Sequence, residues 1–232
     1  MKNKKSSADT ALEFLRNEIL FSSRFPEGSH IVETEIAEQL NCSRAPVREA
    51  IRQLVSTGLL TSIPNKGTFV VTISEEEMHE LFTIRCMLEG WILETLIMDD
   101  ILQPEHFEQL TTIVENMIAA CKKDIDQQQK VLQVTMYDLE LHTLLWKLSN
   151  KKWTIEILTS LYYKLFIAMT KDYYLTGDLE EHARMHYELI GYLKKGHVEK
   201  TKRALREHVG TMKSESSSKC FLGADFNFEN FS

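Results

Sequence analysis

Residues 43–54 read Ser43-Arg44-Ala45-Pro46-Val47-Arg48-Glu49-Ala50-Ile51-Arg52-Gln53-Leu54, and two patterns run through them. Val47, Ala50, Ile51 and Leu54 form an apolar stripe at helical spacing, while Arg44, Arg48 and Arg52 recur every fourth position beside it. Pro46 falls in the first turn, where a missing N–H costs no bond, and Ser43 stands at the N-cap position. The segment predicts a helix held by one face and presenting guanidinium groups on the next.

The flanks extend this unit. Upstream, Leu12, Leu15 and Ile19 predict a helix over 8–21, closed by the turn Pro26-Glu27-Gly28. His30-Ile31-Val32 reads as a short strand, and Glu33–Leu40 as a second helix. Downstream, Gly58 stops the third helix. Leu59–Ile63 and Thr68–Ile73 are β-branched runs joined by Pro64-Asn65-Lys66-Gly67, a hairpin signal. Three helices followed by a hairpin make a winged helix-turn-helix over residues 1–73.

Beyond residue 73 the strand signals stop. Ser74-Glu75-Glu76-Glu77 is a capping box opening a helix to about residue 99. Helical segments at 104–123, 127–149, 151–171, 178–195 and 198–214 follow, separated by short polar joints, as an antiparallel all-α bundle requires. The chain is therefore expected to be mainly α, with a DNA-binding head over 1–73 and a helical domain over 74–214. The segment 215–232, with Phe221, Phe226, Phe228 and Phe231, reads as a tail, either disordered or a strip that docks on a partner.

Composition narrows the function classes. The 232 residues contain no apolar run long enough to span a bilayer. The N-terminal region carries Asp9, Glu13, Arg16 and Glu18 where a secretory signal needs an uncharged stretch. Cys42, Cys86, Cys121 and Cys220 are scattered without CxxC pairs, which points to reduced thiols in a cytoplasmic protein. The net charge of -7 argues against nucleic acid only if charge is spread evenly. Residues 1–73 hold 9 basic and 8 acidic residues, and the remainder 18 and 26, so the acidity lies in the helical part. The arginine stripe then has two readings: a groove-facing surface, or a solvated basic face with Glu49 as a local partner. The glycine-containing hairpin with Lys66 favours the first, because a wing needs such a turn to approach a backbone.

The helical domain places polar groups where a core should be. Asp138 and His142 interrupt the stripe of Val134, Leu141, Leu145 and Leu148. His186 shares a face with Leu189, Ile190 and Leu193, and His208 with Ala204, Leu205 and Met212. One carboxylate and three imidazoles would suit a divalent metal, but only if their helices converge; otherwise each is a hydrogen-bonded core residue. Arg85 also lies inward, between Leu81, Leu88 and Ile92. It reads either as an i, i+4 partner of Glu89 or as the anchor for an effector carboxylate, the pairing with Glu89 being the simpler.

The run from Pro26 to Leu54, with Gly58-Leu59-Leu60 and Pro64-Asn65-Lys66-Gly67-Thr68-Phe69-Val70, closely resembles the DNA-binding domain of the GntR family of bacterial transcription regulators. The resemblance implies DNA contacts by Ser43, Arg44, Ala45 and Arg48, and by the wing around Gly67. Arg52 and Lys66 complete the expected DNA-binding set by position. Asn41-Cys42 stands where Gly-Val is commoner, and Lys66 where Arg is usual, which removes a bidentate fork from the wing. Residues 74–212 resemble the all-helical FCD domain of the FadR-type subfamily, on Ile84-Arg85…Leu88-Glu89, Asp138-x-x-x-His142 with Ser149-Asn150, and His186 with His208. In metal-containing members these positions are ligands, which assigns Asp138, His142, His186 and His208 to a divalent ion: Zn, Ni, Mn or Co. His182 lies one turn before His186, but the downstream Leu189-Ile190 pattern fits only His186, so it is set aside.

These readings predict a homodimeric, sequence-specific transcription regulator that reads a palindromic operator on double-stranded DNA and is controlled by a small organic-acid effector at or near the metal, most simply a repressor. An enzyme is the rival class, since such ligands hold catalytic metals too; no HExxH or GxSxG accompanies them. A non-specific packaging protein fits an acidic chain poorly.

Overall fold

The computed structural model describes residues 6–22, 24–176 and 178–209, with the backbone alone for 172–176. The tail 215–232 and Met212 lie outside the described residues.

Helix α1 spans Ser7–Leu20 and starts from a reciprocal capping box between Ser6 and Asp9. Strand β1 is His30–Ile31, α2 is Glu33–Gln39 and α3 is Arg44–Ser56. The expected apolar stripe of α3 is buried: Val47, Ala50, Ile51 and Leu54 pack with Ala11 and Leu15 of α1 and Ile36 of α2. Ser43 has extended N-cap backbone geometry, yet its hydroxyl makes no cap bond. The cap is thus one of conformation only, and the first-turn N–H groups of α3 are left for another acceptor.

Strands β2, Leu60–Ile63, and β3, Gly67–Val70, are shorter than the β-branched runs that predict them. The sheet order is β1-β3-β2, antiparallel throughout, with His30 opposite Phe69 and Ile63 opposite Gly67. Gly67 sits at φ +110°, and a Cβ there would run into the His30 ring. The positive φ favours glycine there, and any other residue's Cβ would also have to displace the exposed His30 ring.

Six helices complete the described fold: α4 Glu75–Met98, α5 Pro104–Cys121, α6 Gln127–Ser149, α7 Lys152–Thr176, α8 Leu179–Lys194 and α9 Val198–Val209. The Ser74–Glu77 capping box forms as expected. Asp126 caps α6, Asp178 caps α8, and Asn150 ends α6 in the left-handed region at φ 53°. α4 packs against α6, α7 and α9, and α8 packs against α5, α6 and α9, so the inner faces of α4, α6, α8 and α9 meet in one core. No described helix is long and apolar enough to cross a membrane.

Candidate functional site

Asp138 and His142 lie one turn apart on the inner face of α6, with Val134, Leu141 and Leu145 buried around them. α8 brings His186 from one side, beside buried Ala183, Leu189 and Ile190, and α9 brings His208 from another, beside Ala204 and Leu205. The helices do converge. One ligand atom from each of Asp138, His142, His186 and His208 lies within 4.8 Å of all the others, and all four residues are buried.

Asp138 is the centre of the cluster. Its Oδ2 is 3.2 Å from His208 Nε2 and 3.3 Å from His186 Nε2, and its Oδ1 is 3.8 Å from His142 Nε2. His142 Nε2 is also 3.4 Å from His208 Nε2. What these atoms need follows from the far side of two rings. His186 Nδ1 is 3.1 Å from the Ala183 carbonyl, which can only accept, so that nitrogen carries the proton. His142 Nδ1 lies 2.7 Å from Glu89 Oε2, an ion-pair distance at which the carboxylate favours the proton on that nitrogen. In neutral rings this leaves both Nε2 atoms as lone pairs: that of His142 can accept from His208 Nε2, whereas that of His186 has no hydrogen-bond partner among the described residues and faces the carboxylate, acceptor against acceptor, an arrangement that a cation between them resolves. A carboxylate or carbonyl behind a histidine is also how metal-binding imidazoles are oriented.

The charges point the same way. Arg85 is buried, its Nε 2.9 Å from Glu89 Oε1 and its Nη2 3.0 Å from Asp138 Oδ1. Burial opposes ionisation of Glu89 and Asp138, but the Arg85 charge overrides it and holds both below the usual carboxylate range, Asp138 well below. Burial pushes His142, His182 and His208 below the usual histidine range, with His186 and His182 adding to the effect on His208. One arginine thus balances only one of two buried carboxylates. The donor set, one oxygen and three nitrogens with surplus negative charge, fits a divalent metal ion, whose bonds of about 2.0–2.2 Å place neighbouring donors at about these separations.

Arg85 satisfies the simpler expectation, the i, i+4 pair with Glu89, and reaches Asp138 as well. Glu89 has more work than a helix pair: it also accepts from Trp146 Nε1 at 3.1 Å. His182, set aside on sequence, stands beside the cluster after all. Its Nε2 is 3.7 Å from Asp138 Oδ2 and its ring centroid 4.4 Å from that of His208. It falls outside the tight four-atom group, and its side chain is 12% exposed where those of the four are at most 1%. One-turn spacing from His186 was the available signal. His182 therefore marks the side from which solvent approaches the cluster.

At the other end, Arg44, Arg48 and Arg52 line the exposed side of α3, as the spacing predicts, with Ala45 beside them and Lys66 exposed next to Gly67 on the hairpin. The partner is not Glu49. Glu33, at the start of α2, takes Arg44 Nη2 at 3.0 Å and Arg48 at 2.9 Å from Nη2 and 3.2 Å from Nε. The bond from Arg48 lowers the Glu33 carboxyl below its usual range. Periodicity within α3 cannot reveal a partner on a neighbouring helix.

The comparisons match this division. Residues 8–70 match the family model described as bacterial regulatory proteins, gntR family, and residues 80–211 match the FCD domain. The HTH-type transcriptional regulator YdhC of Bacillus subtilis is 27% identical over 195 residues, 82% of this chain and 81% of that protein. The gluconate operon transcriptional repressor of the same organism is 30% identical over 109 residues, 47% of this chain and 44% of that protein. Among solved structures, E. coli McbR/YncC superposes with a TM-score of 0.67 at 22% identity, covering 89% of this chain and 95% of that one, which shows a common fold. The chain belongs to the GntR family, a gntR-type DNA-binding domain joined to an FCD domain, and is a transcription regulator and not an enzyme.

Proposed function

We propose that this regulator works as a homodimer on a palindromic operator, reads it with α3 and the β2–β3 wing, and is controlled by a small carboxylate bound at a metal-containing site in the helical domain. The observation that carries the reading is the convergence of Asp138, His142, His186 and His208 around the unpartnered Nε2 of His186 and a surplus negative charge. These four residues would hold the ion, and the ion would offer its remaining positions to an effector's carboxylate. Arg85 stands at the same site as a second anion-binding group, suited to a carboxylate by its planar fork.

On the DNA side, Ser43, Arg44, Ala45, Arg48 and Arg52 face the groove from α3, and Lys66 with Gly67 meets the backbone from the wing. One such head spans too few base pairs to select a site in a genome, which is the physical ground for a dimer. A relative named as the gluconate operon transcriptional repressor supports repression.

Elemental analysis of the purified protein, combined with selection of duplexes from a randomised pool, tests the whole reading. One divalent ion per chain and a two-fold symmetric selected sequence are expected. Protein that holds no ion, or that enriches no sequence, overturns the corresponding half.

A further inference from the structure

Arg85 spends its three donor faces unequally. Two meet carboxylates, at Glu89 and Asp138, but Nη1 ends on the thioether of Met169, 3.1 Å away. A thioether is a weak acceptor, whereas a guanidinium bonds a carboxylate with charge assistance and matched geometry. Arg85 and Met169 are both buried, so this poor pairing is not relieved by water. An unbranched methionine side chain also swings aside at little cost.

Met169 lies on α7, and α7 touches the DNA-binding domain. Three residues before it, Phe166 meets Phe21 edge to face, ring centroids 5.7 Å apart. Two residues after it, Lys171 donates to the Ile73 carbonyl at 2.8 Å and lies 3.7 Å from Glu27. Further back, the stem of Lys164 lies over Gly58, close enough that a Cβ there would come within 2.9 Å of it. One helix thus joins Arg85 to the end of α1, the turn after α3 and the segment leading into α4.

We propose that the Met169 thioether holds the place of an effector's carboxylate on Arg85, and that its displacement is carried along α7 to the DNA-binding domain. The proposal rests on the carboxylate-effector reading above, and adds the residue that must yield and the path that reports it. A ligand shifts an equilibrium only through unequal affinity for two states, and here the inequality is the exchange of a sulfur acceptor for an ionised oxygen pair.

The test uses the full-length protein and four probes: acetate, succinate, citrate and inorganic phosphate. Calorimetry gives their affinities, and fluorescence anisotropy gives the affinity for a duplex selected by the wild-type protein, with and without each probe. At least one carboxylate is expected to bind and to change duplex affinity. Met169→Leu, which keeps volume and removes the acceptor, should bind that carboxylate about fivefold more tightly, the equivalent of one lost competing hydrogen bond. Lys171→Ala should bind it with wild-type affinity while the carboxylate-induced change in duplex affinity shrinks. Circular dichroism confirms that both variants fold, and Met169→Gln, which supplies a better acceptor in the same place, should weaken carboxylate binding. No carboxylate binding, phosphate binding in preference to every carboxylate, or unchanged affinity in both Met169 variants overturns the slot. An undiminished response in Lys171→Ala overturns the path. Metal content is read separately on the same samples, so loss of the metal reading and loss of this one are distinguished.

Discussion

The carboxylate of Glu33 holds Arg48 by a fork, 2.9 Å from Nη2 and 3.2 Å from Nε, and takes Arg44 at 3.0 Å with the same oxygen. Two arginines of the proposed reading helix are thus oriented by one acid from the helix before it. Exposed ion pairs contribute little to stability, so the consequence is for binding. Glu33 fixes the direction of the guanidinium groups and offsets their charge, which favours contacts that need geometry over contacts that need only charge.

Glu33→Gln should leave the unfolding midpoint unmoved while raising affinity for random-sequence duplex and steepening its salt dependence. Affinity for a selected duplex should rise less, so the ratio between the two falls. Anisotropy titrations at several salt concentrations measure this. An unchanged ratio would show that the clamp plays no part in selectivity.

Arg48→Ala and Lys66→Ala should separate readout from attraction. Loss of a base contact by Arg48 is expected to cost about 5- to 150-fold on a selected duplex and less on random duplex. Loss of a backbone contact by Lys66 should weaken both alike and reduce the salt slope by about one. Mobility-shift titrations on the two duplexes distinguish them, and equal losses for Arg48→Ala would remove it from the groove.

How far the sequence reaches is visible in single residues. The bounds expected for α6 from its periodic stripe match the helix, which Asp126 caps at its start and Asn150 ends in the left-handed region. The winged helix was legible because Pro46, Gly58 and Gly67 act within their own turns. Strand ends were overrun, since Leu59 and the β-branched residues 71–73 extend the pattern past the ladder, where a single further bond runs from Val71 N–H to the Leu59 carbonyl. Convergence of His186 and His208 on Asp138 depends on how three helices cross, which no period encodes, and it was reached through family likeness. Glu33 escaped because its partners lie 11 and 15 positions away. Met169 carried no signal, being one apolar residue on a largely apolar helix.

Protein stripped of metal should become acid-sensitive. His142, His182 and His208 have folded-state values below the ordinary 6.5, burial being the first cause. Above that value both folded and unfolded imidazoles are neutral, and pH has no effect through them. As pH falls through about 6.5, the unfolded chain takes up protons that the folded core refuses, so the folded state loses ground until the depressed values are reached. Unfolding midpoints from pH 8 to pH 5 should therefore fall in chelator-treated protein, and histidine-to-alanine replacement at 142 and 208 should flatten the fall. A midpoint independent of pH across that range would contradict the neutral, buried state of these rings.

Glu89→Gln tests whether the hydrogen bond behind His142 serves a metal. Glu89 Oε2 lies 2.7 Å from His142 Nδ1 and favours the proton there, while Nε2 faces Asp138 and His208. The amide keeps the shape and loses the charge, so the ring is oriented less firmly and becomes less basic. Substitutions of such partners lower metal affinity by about 10- to 100-fold, and that loss is expected for Zn2+ or Ni2+ measured by competition with a chromogenic chelator. The same change removes one of two carboxylates opposing Arg85, which by itself lowers stability whether or not a metal binds. Metal-dependent stabilisation separates the two effects: the rise in unfolding midpoint on adding metal should be smaller in Glu89→Gln than in wild type, and absent in Asp138→Asn. Equal rises in all three proteins would place the ion elsewhere and return Asp138 and the histidines to the core.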